Sequence, residues 1–194
     1  MTGEAVEESG VRARTRRAIL TAAALVFARD RGASLSTVAR EAGVGRTTLH
    51  RYFPDRAALV RELAYEVVRE TTEVLARADL ECVPVWEAIE RVIYEFVAMG
   101  ERYYFLLQEH DLDSDTKLAS SDSAALAPFL ELLRRGQASG ELRADLPAEW
   151  LLQVTDSLVN EAWLATMDGT LARTDTVRAV MATLRGGIAA PSDH

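Results

Sequence analysis

Only one of the 194 residues is cysteine, and only three are histidine. Cys82 therefore cannot form an intramolecular disulfide, and Cys and His are too few for a zinc site at ligand spacing. No apolar run approaches the roughly 20 residues that a membrane span requires. The N-terminus carries Glu4, Glu7 and Glu8 where a secretion signal would be apolar. A reducing, cytoplasmic location without a membrane partner is expected. No Glu-x-x-His occurs, and no Ser/His/Asp or Cys/His arrangement can be assembled, so neither a di-iron bundle nor a nucleophilic enzyme is supported. No metal, no cofactor and no enzymatic activity are expected. Strand-like alternation and internal repeats are also missing.

What is present is an uneven charge distribution. The net charge is -8. Between Arg12 and Phe53, however, nine arginines face only Asp30 and Glu41, a net of +7. From Pro54 to the end, 13 basic residues face 25 acidic ones, a net of −12. Charge alone leaves two readings open: a phosphate-binding end on an acidic body, or a solvated face that is merely basic.

Apolar spacing is helical almost throughout. Ile19, Ala22, Ala23, Val26 and Phe27 form one stripe, which predicts a helix over about 12–31 that Gly32 ends. Ser34 is placed to cap a short helix over about 35–42, and Gly43 to stop it in the left-handed conformation. A third short helix is expected over 46–52. Pro54 breaks the chain before a long fourth that reaches about Arg77. Pro84 opens a fifth, to about Tyr104. The acidic segment 110–122 reads as a loop, followed by helices over about 123–139, 147–167 and 174–185.

Residues 34–53 satisfy the demands of a helix-turn-helix. Ala39 is the small residue that lets the second helix cross closely, and Gly43 can take a positive φ in the turn. Val38, Ala42, Val44, Leu49 and Tyr52 fill the apolar contacts. The outward residues Arg46, Thr47, Thr48, His50 and Arg51 are all hydrogen-bond donors. Two core helices with a polar outer face would not require that.

The segment Arg16–Val60 resembles the DNA-binding domain of the tetracycline-repressor (TetR) family. The landmarks are an Ile-Leu-x-Ala-Ala opening, Phe27-Ala28, Ala42-Gly43-Val44, Thr48-Leu49, and Tyr52-Phe53 followed by Arg56 and Leu59. Beyond about Arg61 the resemblance is one of all-helical architecture only. It implies an all-α fold: a tail (1–11), a three-helix DNA-binding domain (12–54), a helical effector-binding and dimerisation domain (55–188) and a C-terminal tail (189–194). It also implies a ligand-responsive repressor, a homodimer on a pseudo-palindromic double-stranded operator, with a small-molecule inducer.

Carried over by position, the resemblance places Gly45, Arg46, Thr47, Thr48, His50 and Arg51 on the recognition helix. Tyr52 and Arg56 fall at phosphate contacts, and Ser34, Ser36 and Thr37 at the start of the preceding helix. Arg12 and Arg14 are expected in a flexible basic arm. Two departures stand out: His50 replaces a usual Tyr, and the connection 32–38 is short.

The expected effector pocket draws on the aromatic residues of the acidic domain: Trp86, Tyr94, Tyr103, Phe105, Phe129 and Trp163. The acid excess points to an apolar or cationic ligand. The seventh helix carries two apolar stripes and so belongs either in an intrachain core or at a subunit interface. Leu152, Val159 and Trp163, with Val177, Met181 and Leu184 on the last helix, are assigned to the dimer interface. Asp111, Asp113, Asp115 and Asp122 have calcium-loop spacing, but Thr116 replaces the glycine and Asp122 the long bidentate Glu, so a solvated acidic loop is expected. The rival from another class is a ligand-binding or scaffold protein whose basic end reads no DNA.

Overall fold

The structure, a computed structural model, describes residues 3–109, 112 and 114–190. Among them eight α-helices follow in order: α1 Gly3–Arg29, α2 Leu35–Glu41, α3 Arg46–Tyr52, α4 Arg56–Arg77, α5 Val85–Tyr103, α6 Thr116–Ala138, α7 Ala148–Met167 and α8 Thr176–Ile188. A 3-10 turn, Tyr104–Gln108, continues from α5. No strand forms among the described residues; Leu142 and Ala189 meet in one antiparallel bridge. No described helix is long and apolar enough to cross a membrane.

Helix starts differ from expectation in two places. α1 is already helical at Gly3, so 3–11 do not form the expected flexible tail. Its turns there are reinforced by Thr15 Oγ1 donating to the Val11 carbonyl at 3.0 Å. α6 begins at Thr116, so the second half of the expected acidic loop is helix. Ser120 and Ser123 donate to the carbonyls of Thr116 and Ala119 at 2.8 and 3.0 Å, which absorbs their hydroxyls into the helix. His110, Asp111 and Asp113, on which the acidic-loop reading partly rested, lie outside the described residues, as do 191–194 of the expected C-terminal tail.

The chain divides into two compact units, and the division differs from the one expected at Pro54. The first comprises Met1–Glu66 with Phe105–Asp115; the second comprises Val67–Tyr104 with Thr116–His194. In the first, Ile19, Ala23 and Phe27 of α1, Val38 of α2, Leu49 of α3 and Leu59 of α4 are almost wholly buried. The stripe spacing of α1 places these residues on one side of the helix, which is why it buries that side. In the second unit a continuous core joins Ile89 and Ile93 of α5, Phe129 and Leu133 of α6, Leu151 and Val159 of α7, and Val180 and Leu184 of α8.

Candidate nucleic-acid interface and effector region

The helix-turn-helix is held by backbone geometry that its residues dictate. Ser34 caps α2, its hydroxyl accepting from the Thr37 amide at 3.2 Å. Gly43 takes φ 66°, a left-handed conformation that costs glycine no Cβ clash. The Val44 amide then donates to the Ala39 carbonyl at 3.0 Å, and Gly45 leads into α3 as its N-cap. Leu49 and Phe53 are buried below. That fixes the opposite side of α3 outward: Gly45, Arg46, Thr47 and Arg51 are exposed, with Thr48, His50 and Tyr52 half-buried. Ser34 and Ser36 are exposed at the start of α2 and Thr37 is half-buried.

His50 turns away from its neighbours in α3. Its Nδ1 lies 3.1 Å from the Pro54 carbonyl, which can only accept, so Nδ1 carries the proton. The bond fastens the end of α3 to the following turn. The expected flexible arm is part of α1 instead, and it makes one wall of a cleft of about 440 Å³ lined by Val11, Arg12, Thr15, Thr48, Arg51 and Tyr52. Thr15 was not anticipated from the sequence, because its closeness to Thr48 depends on how α1 crosses α3. Among the described residues no carboxylate lines that cleft.

Arg56 is placed differently from its expected phosphate contact. Its guanidinium makes two bonds to Glu109, 2.9 Å to Oε2 and 2.7 Å to Oε1. It also donates to the Arg31 carbonyl at 3.1 Å and lies over the Phe27 ring, 5.0 Å from its centroid. Glu109, only 10% exposed, reaches Arg31 as well, at 3.5 Å. Phe105 packs on Phe27 with ring centroids 5.5 Å apart, and Arg61 pairs with Asp115 at 3.2 Å. Phe105, Glu109 and Asp115, between α5 and α6, thus pack within the first unit.

The six expected pocket residues do not surround one cavity. Phe105 belongs to the first unit, through its contact with Phe27. Tyr94 is 63% exposed, whereas Phe129 is core, edge-on to Phe96 at 6.4 Å. Trp86 lies on the surface side beneath the Arg185 guanidinium, 4.6 Å from it. Tyr103 is buried and bonds Glu70; burial first, and then the Glu70 charge, push its phenol up to about 12. Trp163 lies directly on Gly100, where an added Cβ would come within 2.1 Å of Nε1. The aromatic count was sound as a sign of a packed domain but not as a list of pocket walls.

The expected dimer residues are corrected by the same packing. Val159, Met181 and Leu184 are at least nine-tenths buried in the subunit's own core, and Leu152, Trp163 and Val177 pack against it. The apolar residues of α7 left outside belong to neither stripe as a whole. Trp150, Leu164 and Met167 are 51%, 39% and 55% exposed. An open groove of about 800 Å³ beside Trp150, between α7 and α8, is lined by Trp150, Val154, Leu158 and Gly187 among others. Among the described residues no group of three or more His, Cys, Asp and Glu could hold a metal.

Comparison with known proteins agrees with this architecture. Residues 19–63 match the family described as bacterial regulatory proteins, tetR family. The chain is 38% identical over 188 residues to the HTH-type transcriptional repressor LfrR of Mycolicibacterium smegmatis, covering 97% of each chain. It is 30% identical over 131 residues to the HTH-type transcriptional regulator NfxB of Pseudomonas aeruginosa, covering 66% of this chain and 69% of that one. The crystal structure of LfrR from Mycobacterium smegmatis in complex with proflavine superposes with a TM-score of 0.78 at 35% identity, covering 92% of this chain and 99% of that one. The chain belongs to the TetR family of bacterial transcriptional regulators, which are DNA-binding proteins and not enzymes.

Proposed function

We propose that the protein is a ligand-responsive repressor that occupies a pseudo-palindromic operator as a homodimer. The observation that carries this reading is the outward side of α3, where Arg46, Thr47 and Thr48 present donors that no described carboxylate neutralises. Arg46 suits the paired acceptors of guanine, and the threonines a base edge or a thymine methyl. The cleft of Arg12, Thr15, Arg51 and Tyr52 suits one phosphate of the adjoining strand. A two-fold dimer would set two such helices about one helical turn apart.

The exposed apolar residues of α7 support the dimer. An apolar helix face rimmed by polar residues is stable in water when a second copy covers it, and a two-fold axis presents each face to itself. The similarity to a repressor crystallised with proflavine, a planar aromatic cation, supports a small-molecule signal, as does the acid excess of the second unit. The connector 105–115 gives that signal a route, because the chain leaving α5 passes through the Phe27–Arg56–Glu109 cluster of the first unit before α6 begins. Effector binding would bias the protein toward a conformation with the wrong helix spacing.

Footprinting on promoter DNA beside the protein's own gene tests this reading. Two protected half-sites about one turn apart, released by proflavine, are expected. Protection without a symmetric pair, or none on any promoter fragment, contradicts it.

A further inference from the structure

His50 stands on α3 one turn after Arg46 and three residues after Thr47, on the side that the buried Leu49 and Phe53 leave free. One edge of its ring is fixed. Nδ1 lies 3.1 Å from the Pro54 carbonyl, and that carbonyl can only accept. In the neutral ring the single proton is therefore on Nδ1, which leaves the distal Nε2 as a lone-pair acceptor. Nε2 has no hydrogen-bond partner among the described residues.

Against DNA that tautomer is a mismatch. A phosphodiester carries no proton at neutral pH, so the backbone offers only acceptors, and Nε2 would meet a phosphate oxygen lone pair to lone pair. Arg46, Thr47 and Arg51 beside it are donors without any change of protonation state. One change removes the mismatch and keeps the Pro54 bond: Nε2 gains a proton. The imidazolium then donates at both edges, to the carbonyl and to the phosphate, and its charge is opposite to that of the phosphate. Moving the proton from Nδ1 to Nε2 instead would break the bond that fastens the end of α3 to the following turn.

We propose that DNA binding by this protein is linked to proton uptake at His50, whose neutral imidazole becomes an imidazolium as Nε2 engages a backbone phosphate. The proton comes from solvent, and the Nδ1 bond to Pro54 is unchanged. The proposal rests on α3 as the DNA reader and adds a pH dependence that this reading does not contain.

The charged groups on the elements around His50 leave that role to the phosphate. α3 itself supplies Arg46 and Arg51, and α2, packed on α3, ends with Arg40 and Glu41. In the following turn Asp55 Oδ1 accepts from the Ala58 amide at 2.7 Å, and Arg56 at the start of α4 is held by Glu109. From α1, Arg12 reaches the cleft with Arg51 and Tyr52. Among the described residues no carboxylate bonds the imidazole.

Calorimetry on the full-length protein tests the link. The probe is a duplex that the wild type enriches from a random-sequence pool, titrated at fixed pH and ionic strength in PIPES and in Tris, whose ionisation heats differ widely. The binding heats should differ between the buffers, reporting uptake of a large part of one proton per protomer. The complex holds the proton more tightly than the free protein, so affinity should fall as pH rises through the histidine range, by up to about tenfold per pH unit for each proton taken up. His50→Gln keeps a distal donor that does not titrate, and its affinity should stay level over that range. His50→Asn keeps a donor for the Pro54 carbonyl but none for the phosphate, and should bind at every pH as weakly as the wild type does at the alkaline end.

Equal heats in the two buffers overturn the proposal. So does a wild-type pH slope that both variants retain. A duplex bound with no pH dependence removes the proton link alone, whereas failure to enrich any duplex removes the α3 reader and the link together.

Discussion

At Arg46 the guanidinium stands exposed at the start of α3, whereas Arg56 is held by two bonds to Glu109. The two arginines should therefore fail in different assays. Arg46→Ala is expected to weaken operator binding by ~1–3 kcal/mol and relax the choice of base at one position, with stability unchanged. Equal discrimination by the variant in a competition series would remove Arg46 as a base reader. Glu109→Ala, in contrast, leaves a half-buried guanidinium without its bidentate partner. Urea unfolding should show a loss of about 1–3 kcal/mol, less than for a fully buried pair because Arg56 is 37% exposed. An unchanged midpoint would mean the pair is only a surface contact.

The outward side of α3 was legible in the sequence because helix capping, the Gly43 turn and the buried Leu49 are local and fix which side of α3 faces out. The role of Arg56 was not, because its partner Glu109 lies 53 residues away and only the tertiary fold brings the two together.

The elements divide along the same line of local against distant information. All eight helices announced themselves by spacing and by proline or glycine punctuation, with α1 and α6 starting earlier than expected. On α7 both stripes are apolar, and spacing cannot say which one meets the core. The structure turns Leu151, Val159 and Ala162 inward and leaves Trp150, Leu164 and Met167 outside. Leu184→Ala on α8 should thus cost ~2–5 kcal/mol of subunit stability, as a cavity in the core does. Trp150→Glu combined with Leu164→Glu should instead convert a dimer to a monomer in sedimentation, leaving the helical content intact. A dimer that survives both changes would place the interface on another face.

Between α4 and α5, Tyr103 supplies a pH signature. Its folded pKa of about 12 lies above the ordinary value of 10.0, so the folded state binds the proton more tightly than the unfolded one. Its contribution to stability is complete below pH 10 and is lost as pH rises toward 12. Tyr103→Phe, which cannot ionise, should flatten that alkaline decline; an identical pH–stability curve for the variant would assign the decline elsewhere.

For the whole molecule, the net charge of -8 hides the division of labour. The basic segment is the one that folds into α1–α3, and the acid excess lies in the rest of the chain. An acidic body repels DNA except where the arginines of α1 and α3 are presented, which favours one orientation of approach. Charge blocks and fold class were readable from the sequence. The walls of an effector site were not, because aromatic count pointed to residues such as Phe129 and Tyr103 that packing consumes.

The measurement that bears most directly on α3 as a DNA reader is fluorescence anisotropy of wild-type and Arg46→Ala protein on promoter DNA and on scrambled DNA across a salt series. The wild type should bind the promoter saturably, resist competition by scrambled DNA, and lose affinity linearly on a log–log plot as salt rises. Arg46→Ala should narrow the gap between the two DNAs. Weak binding of both DNAs, equally salt-sensitive and the same in wild type and variant, would contradict it.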